Sequence, residues 1–128
     1  MNGVDFLADT NFLIYLLEGR PEAALFADYS FAVSFVTEIE LLGRYRISPE
    51  EKEIIHSMLD TCVIIDLPPV VKQKAAVLKQ NRRIKLPDAL IVATAQYFGL
   101  TLLTADIGFR NIPGIEVFLI ELTPPKSS

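Results

Sequence analysis

At 128 residues, 51% hydrophobic and with a formal net charge of −4, the chain is sized for one domain and too apolar to stay disordered. Its longest apolar runs, such as Ala89–Ala95, are far too short to cross a bilayer, and the opening MNGVDFLAD lacks the basic start of a signal peptide. A single cysteine, Cys62, excludes an internal disulfide framework and fits a reducing cytoplasm.

In chain order, β-rich apolar runs alternate with helical stretches. Val4–Ala8 reads as the first strand, followed by a helix over Asn11–Leu17 that stops at Gly19. Pro21 opens a short helix to Asp28, because proline suits a first helical turn. Phe31–Val36 reads as the second strand, with Thr37 capping a helix over Glu38–Tyr45. Ser48 caps a helix over Pro49–Leu59, with Glu51 at the capping-box position. Cys62–Leu67 is the third strand, and Pro68-Pro69 breaks to a basic helix over Val70–Arg82. Asp88–Phe98 is an almost wholly apolar helix between Pro87 and a C-terminal Gly99. Thr101–Leu103 and Ile115–Ile120 are the last two strands, and residues 123–128 read as a loose tail after a single domain over 1–122.

Helices between successive strands predict an α/β fold: a parallel sheet of about five strands covered on both faces, in three α/β/α layers. In such sheets ligands bind beyond the carboxyl ends of the strands. Four acids fall near that edge. Asp9 follows the first strand, Asp106 follows the fourth, Asp88 starts the apolar helix, and Glu40 sits one turn into the helix after the second strand. Each has a structural alternative: an N-cap for Asp9, the helix dipole for Asp88, an Asx turn for Asp106 and plain solvent exposure for Glu40. Together they are harder to explain that way. Converging carboxylates raise one another's pKa unless a cation neutralises them, and an all-oxygen set without clustered His or Cys suits Mg²⁺ or Mn²⁺.

Charge is distributed unevenly. Between Leu67 and Pro87 lie six basic residues (Lys72, Lys74, Lys79, Arg82, Arg83, Lys85) and no acid, so the remaining chain sets six basic residues against sixteen acids, a net of −10. A basic patch on an acidic body fits an anionic partner, although a solvated helix face would give the same pattern. Carboxylates carrying a dication beside a basic patch are the equipment of a phosphodiester hydrolase.

The stretches LADTNFLIYLLEG, SFVTEIELLG and KLPDALIVATAQYFGLTLLTADIGF, in that order, resemble the PIN-domain family, and specifically the VapC-like toxin ribonucleases of toxin–antitoxin pairs. The resemblance covers nearly the whole chain and is most specific in its last stretch. It implies Mg²⁺- or Mn²⁺-dependent cleavage of single-stranded RNA regions, with Asp9, Glu40, Asp88 and Asp106 as the acidic, metal-holding set. It also implies a supporting polar role for Thr104, a structural one for Asn11, a homodimer, and a cognate antitoxin. Aligned on Ser34, Thr37 and Gly43, Glu40 rather than Glu38 falls on the family acid. Asn81 and Arg82 stand where relatives often have glycine. Arg82, Arg83 and Lys85, just before Asp88, are the expected RNA-guiding residues. The stripe of Leu13, Leu16, Leu17, Leu41, Leu42 and Tyr45 is a candidate face for a second copy.

Two other readings remain open at this point. A receiver-like signalling domain would phosphorylate Asp66 at the end of the third strand, although its companion acid and lysine are missing. A non-catalytic binding module would keep the fold and use the acids for a partner. His56, without a neighbouring His or Cys, reads as a surface helix residue, and Cys62 as a small core residue. Phe109 is expected at the rim of the site.

Overall fold

The computed structural model describes residues 1–123. Its five strands are β1 (Phe6–Ala8), β2 (Phe31–Ser34), β3 (Val63–Ile65), β4 (Leu102–Thr104) and β5 (Val117–Leu119). They form one sheet in the order β3-β2-β1-β4-β5, with every pair parallel. The helices are α1 (Thr10–Leu17), α2 (Pro21–Ala24), α3 (Phe35–Leu42), α4 (Pro49–Leu59), α5 (Pro69–Asn81) and α6 (Leu86–Phe98), with a 3₁₀ turn over Ile107–Phe109.

Strand alternation divides the core in two. Ala8, Phe31, Val33 and Leu103 face α1 to α4, together with Phe12, Leu13, Leu41, Ile55 and Leu59. Leu7, Ala32, Ile65 and Leu102 face the other way, onto Ile91, Val92 and Ala95 of α6. Helix α5 lies behind α6, where Val71 and Ala75 meet Ala89 and Ala93. The small residues of α6 let sheet and helix approach on both sides of it, and this explains why that helix is apolar nearly all round. Among the described residues, no helix is long and apolar enough to cross a membrane.

The element order agrees with the sequence reading, and α4 matches it with its capping box closed between Ser48 and Glu51. The main correction concerns the second strand. Phe35 and Val36 favour strands by type, but the chain turns at Ser34, whose Oγ accepts the Val36 N–H at 3.2 Å. Helix α3 therefore starts at Phe35 rather than Glu38, and Thr37 is an interior helix residue instead of its cap. Burial of Val36, Thr37 and Leu41 in the helix outweighs the strand propensity. The same helix ends before Tyr45, where the Gly43 N–H bonds back to the Ile39 carbonyl at 2.7 Å.

The other boundaries move by a few residues. β1 loses Val4 and Asp5, because the Asp5 carboxylate accepts the Ser30 N–H and turns the chain before the ladder begins. Helix α2 stops its regular hydrogen bonding at Ala24, short of Asp28. Helix α6 starts at Leu86, two residues ahead of Asp88, and Gly99 ends it in the left-handed conformation (φ 64°) that an L side chain resists. β3 and β5 are each trimmed to three residues, and β4 extends to include Thr104. Thr123, expected in the loose tail, is held by Arg20 and Glu22, while residues 124–128 lie outside the described residues. The proposed second-copy stripe is also corrected: Leu13 and Leu41 are fully buried in the core, and an apolar stripe alone cannot separate core from interface.

Candidate active site

Strand order reverses between β1 and β4, since the chain runs outward to β2 and β3 from one and to β5 from the other. The crevice beyond the carboxyl ends at such a reversal is the usual ligand position in an open parallel sheet. Asp9 follows β1 there, and Thr104 ends β4 beside it.

Asp9 is only 3% exposed. Its Oδ1 caps α1 by accepting the Phe12 N–H at 2.8 Å, and its Oδ2 accepts from the Thr104 hydroxyl. Burial is the main reason its pKa is raised from 3.8 to about 6; the two hydrogen bonds oppose that rise, and the charges of Asp106 and Asp88 add to it. The acid is thus both an N-cap, the bland alternative, and a strained titratable group. Asp88, half-buried in the first turn of α6, is also raised, by desolvation and then by Asp106 and Glu40, with Lys85 pulling the other way. These mutual influences show that all four acids share one electrostatic neighbourhood.

Three of them share a wall as well. Asp9, Glu40 and Asp88 line one pocket of about 90 Å³ with Thr10, Asn11, Ile91 and Phe109. Asp106 stands apart from that lining. Its backbone N–H donates to Thr104 Oγ1 at 2.9 Å and its Oδ1 caps the 3₁₀ turn through the Gly108 N–H at 2.8 Å. That turn carries Phe109, which is buried and not merely at the rim. Thr104 touches both acid-bearing turns.

Two hydroxyls escaped the sequence reading. Thr10 Oγ1 lies 2.6 Å from Glu40 Oε1 and 3.0 Å from the Oγ1 of the fully buried Thr37, so its one proton is shared between two acceptors, the carboxylate at the shorter distance and the Thr37 hydroxyl. Glu40 is thereby tethered toward the pocket from an exposed helix position. The single threonines near Asp9 and Glu40 are the one sequence signal for this, and such residues more often cap helices.

The chemistry of these donors fits a hard dication, and the pocket far exceeds the roughly 10–15 Å³ of probe space that one water occupies. Among the described residues, however, no three His, Cys, Asp or Glu side chains are close enough to hold a metal ion directly. Mg²⁺ keeps several waters and often takes one or two carboxylates, so this spacing fits an ion held largely through water.

On the far side of Asp88 and Phe109 lies a second cavity, about 250 Å³, lined by Arg82, Arg83, Ile84, Lys85, Gly108 and Ile112 as well as those two. The three basic residues named from the sequence therefore adjoin the acidic pocket across a shared wall. Asp66 does not. It is exposed after β3 at the sheet edge, with β2 between it and β1, so the arrangement needed for a receiver site is missing.

A doubly covered parallel sheet with a buried carboxylate at its switch point defines the class: a three-layer α/β/α protein with an acidic pocket at the C-terminal strand ends. Comparison with known families is more particular. The PIN domain model matches residues 6–115, and the chain belongs to the PIN-domain family. A toxin–antitoxin complex from Klebsiella pneumoniae contains a chain 36% identical to this one, with a TM-score of 0.75, covering 87% of this chain and 95% of that one. VapBC2 from Rickettsia felis, bound to a promoter DNA fragment, shares the fold at 20% identity and a TM-score of 0.75, covering 91% and 98%. FitAcB from Neisseria gonorrhoeae does so at 24% identity and 0.70, covering 88% and 96%. Comparison with curated proteins finds no match.

Proposed function

We propose that this chain is a divalent-metal-dependent endoribonuclease and the toxin of a toxin–antitoxin pair. The observation that carries the nuclease reading is the junction at Asp88, where a pocket holding Asp9 and Glu40 meets a cavity lined by Arg82, Arg83 and Lys85. Membership of the PIN family and the likeness to the Klebsiella pneumoniae toxin–antitoxin chain support it. The same family reading carries a cognate antitoxin, a homodimer and action in the cytoplasm, where RNA is the substrate.

Asp9, Asp88 and Asp106 would hold Mg²⁺ or Mn²⁺ largely through water, and Glu40 would join them or orient the attacking water. A bound dication would polarise the scissile phosphate and acidify that water. Thr10 occupies Glu40 Oε1 and leaves Oε2 free to take the water's proton. Thr104 keeps the Asp9 carboxylate in one orientation, and Asn11 supports the wall beside it. Arg82, Arg83 and Lys85 guide the anionic strand in beside Asp88.

Asp88→Asn should abolish Mg²⁺- or Mn²⁺-dependent RNA cleavage while leaving the far-UV CD spectrum and melting cooperativity intact. Full activity in that variant refutes the assignment. A non-catalytic binding module would show neither cleavage nor Mn²⁺ binding sensitive to Asp9→Ala.

A further inference from the structure

We infer that the cavity beside Asp88 is a base-reading subsite for the unpaired nucleotide next to the scissile phosphate, and that it prefers keto bases (uracil, guanine) over amino bases (cytosine, adenine). The inference rests on the nuclease reading for the position of the scissile phosphate. The base preference rests on the cavity itself.

Its floor is apolar. Ile84, Phe109 and Ile112 line it, and Phe109 and Ile112 are 4% and 7% exposed. A phosphate gains nothing from such a floor, whereas the flat face of a base buries apolar area on it. A volume of about 250 Å³ lies below the range typical of drug-sized ligands, roughly 300–1,000 Å³, and suits one base rather than a pair. The rim is basic. Arg82, Arg83 and Lys85 carry only donors, and Asp88 is the one side-chain acceptor in the wall. A donor-lined pocket pairs with the O4 of uracil or the O6 and N7 of guanine. The N4 amino group of cytosine or the N6 group of adenine meets donors at Arg82, Arg83 and Lys85, and the one side chain there that could accept it, Asp88, is shared with the acidic pocket.

The loop is held for the task. Ile84 packs against both α6-side core clusters, and Lys79 Nζ donates to the Ile84 carbonyl at 2.9 Å. On the opposite wall, Asp106 caps the turn that carries Gly108 and Phe109. Both walls are therefore positioned before RNA arrives, as selective binding requires. Asp88 and Phe109 belong to both cavities, so the subsite lies one wall away from the acidic pocket.

The test is equilibrium binding of short oligo(U) and oligo(C) to the full chain in EDTA, followed by cleavage-site mapping on a random single-stranded RNA with Mn²⁺. Oligo(U) should bind about tenfold more tightly than oligo(C), the discrimination expected of one good base contact. Arg82→Gln, which supplies an acceptor as well as donors, should bring the two within about twofold, while Lys72→Gln on the outer face of α5 should weaken both and keep their ratio. Mapped cuts should show U or G enriched at one fixed position beside the break. Equal binding of the two oligomers assigns the basic rim to phosphates alone and overturns the inference, as does a U preference untouched by Arg82→Gln. An intact U preference without any cleavage overturns the nuclease reading and leaves the subsite standing.

Discussion

Thr104 Oγ1 donates to Asp9 Oδ2 and accepts the N–H of Asp106, so one buried hydroxyl ties together the two acid-bearing turns at the switch point. Replacing it with the near-isosteric Thr104→Val leaves Asp9 Oδ2 and the Asp106 N–H without that partner. Loss of a buried hydrogen bond to a charged group should cost about 1–3 kcal/mol, measured by urea unfolding. Asp9 should then hold its proton to still higher pH. Thr104→Ser should recover most of both effects, and a Thr104→Val protein as stable as wild type would show that this hydroxyl carries no weight.

Asp9 also makes metal-free stability depend on pH. Folding raises its pKa from 3.8 to about 6, so the native state holds this proton more tightly than the unfolded chain does. Its contribution is most favourable below the unfolded value and declines as pH rises from about 4 to about 6. At about 1.4 kcal/mol per unit, the loss is on the order of 3 kcal/mol. Asp88 shifts in the same direction and deepens the fall. Other carboxylates titrate in the same window, so the measurement is the difference between wild type and Asp9→Asn in EDTA. The variant should gain on wild type as pH rises through that window, and a constant difference would contradict the burial argument.

The same acid shows what a linear reading of the chain can and cannot reach. Asp9 stands out because an acid ends an apolar strand, and Asp88 because LPDALIVATAQYFG combines a start signal, an apolar helix and a C-terminal glycine. These signals are local. Thr10 and Thr37 were not legible as a tether, because their value depends on Glu40 arriving from another element, 30 residues away from Thr10. Ser34 was missed as a cap for a related reason. Phe35 and Val36 look like strand by residue type, while the Ser34 cap and the Leu41 anchor in the α1–α4 core favour helix. Leu13 and Leu41 drop out of the candidate second-copy stripe because apolarity says that a face is covered and does not say by what. Asp106 is the mixed case: the turn anticipated for it is present, and that turn sets it back from the pocket its charge still reaches.

Cation binding should compete with the Asp9 and Asp88 protons. Mn²⁺ should raise Tm at about pH 7.5, with a gain that shrinks steeply below about pH 6 as the ligands take up protons. Asp9→Asn and Asp88→Asn should each lose most of the Mn²⁺-dependent gain. Ca²⁺, larger and less strict in geometry, should stabilise without supporting cleavage at the Mn²⁺ rate. An unchanged Tm in wild type across millimolar Mn²⁺ would remove the cation from the account and leave the acids as structural groups.

Thr10→Val frees Glu40 Oε1 and removes the partner of the buried Thr37 hydroxyl. If Glu40 positions the attacking water, the variant should lose about tenfold in kcat with KM nearly unchanged, since general base catalysis contributes roughly 10²–10⁴-fold and misplacement forfeits part of it. RNA binding in EDTA should stay within about twofold, because no backbone phosphate contact is touched. The stability cost of leaving Thr37 unpaired, about 1–2 kcal/mol, is separable by measuring Thr10→Val,Thr37→Val, which removes the orphaned hydroxyl without restoring the tether. That double variant should regain stability and stay slow, and Thr10→Ser should regain both. A double variant that recovers full kcat would mean that Glu40 needs no tether to act, and that the Thr10 contact serves packing alone.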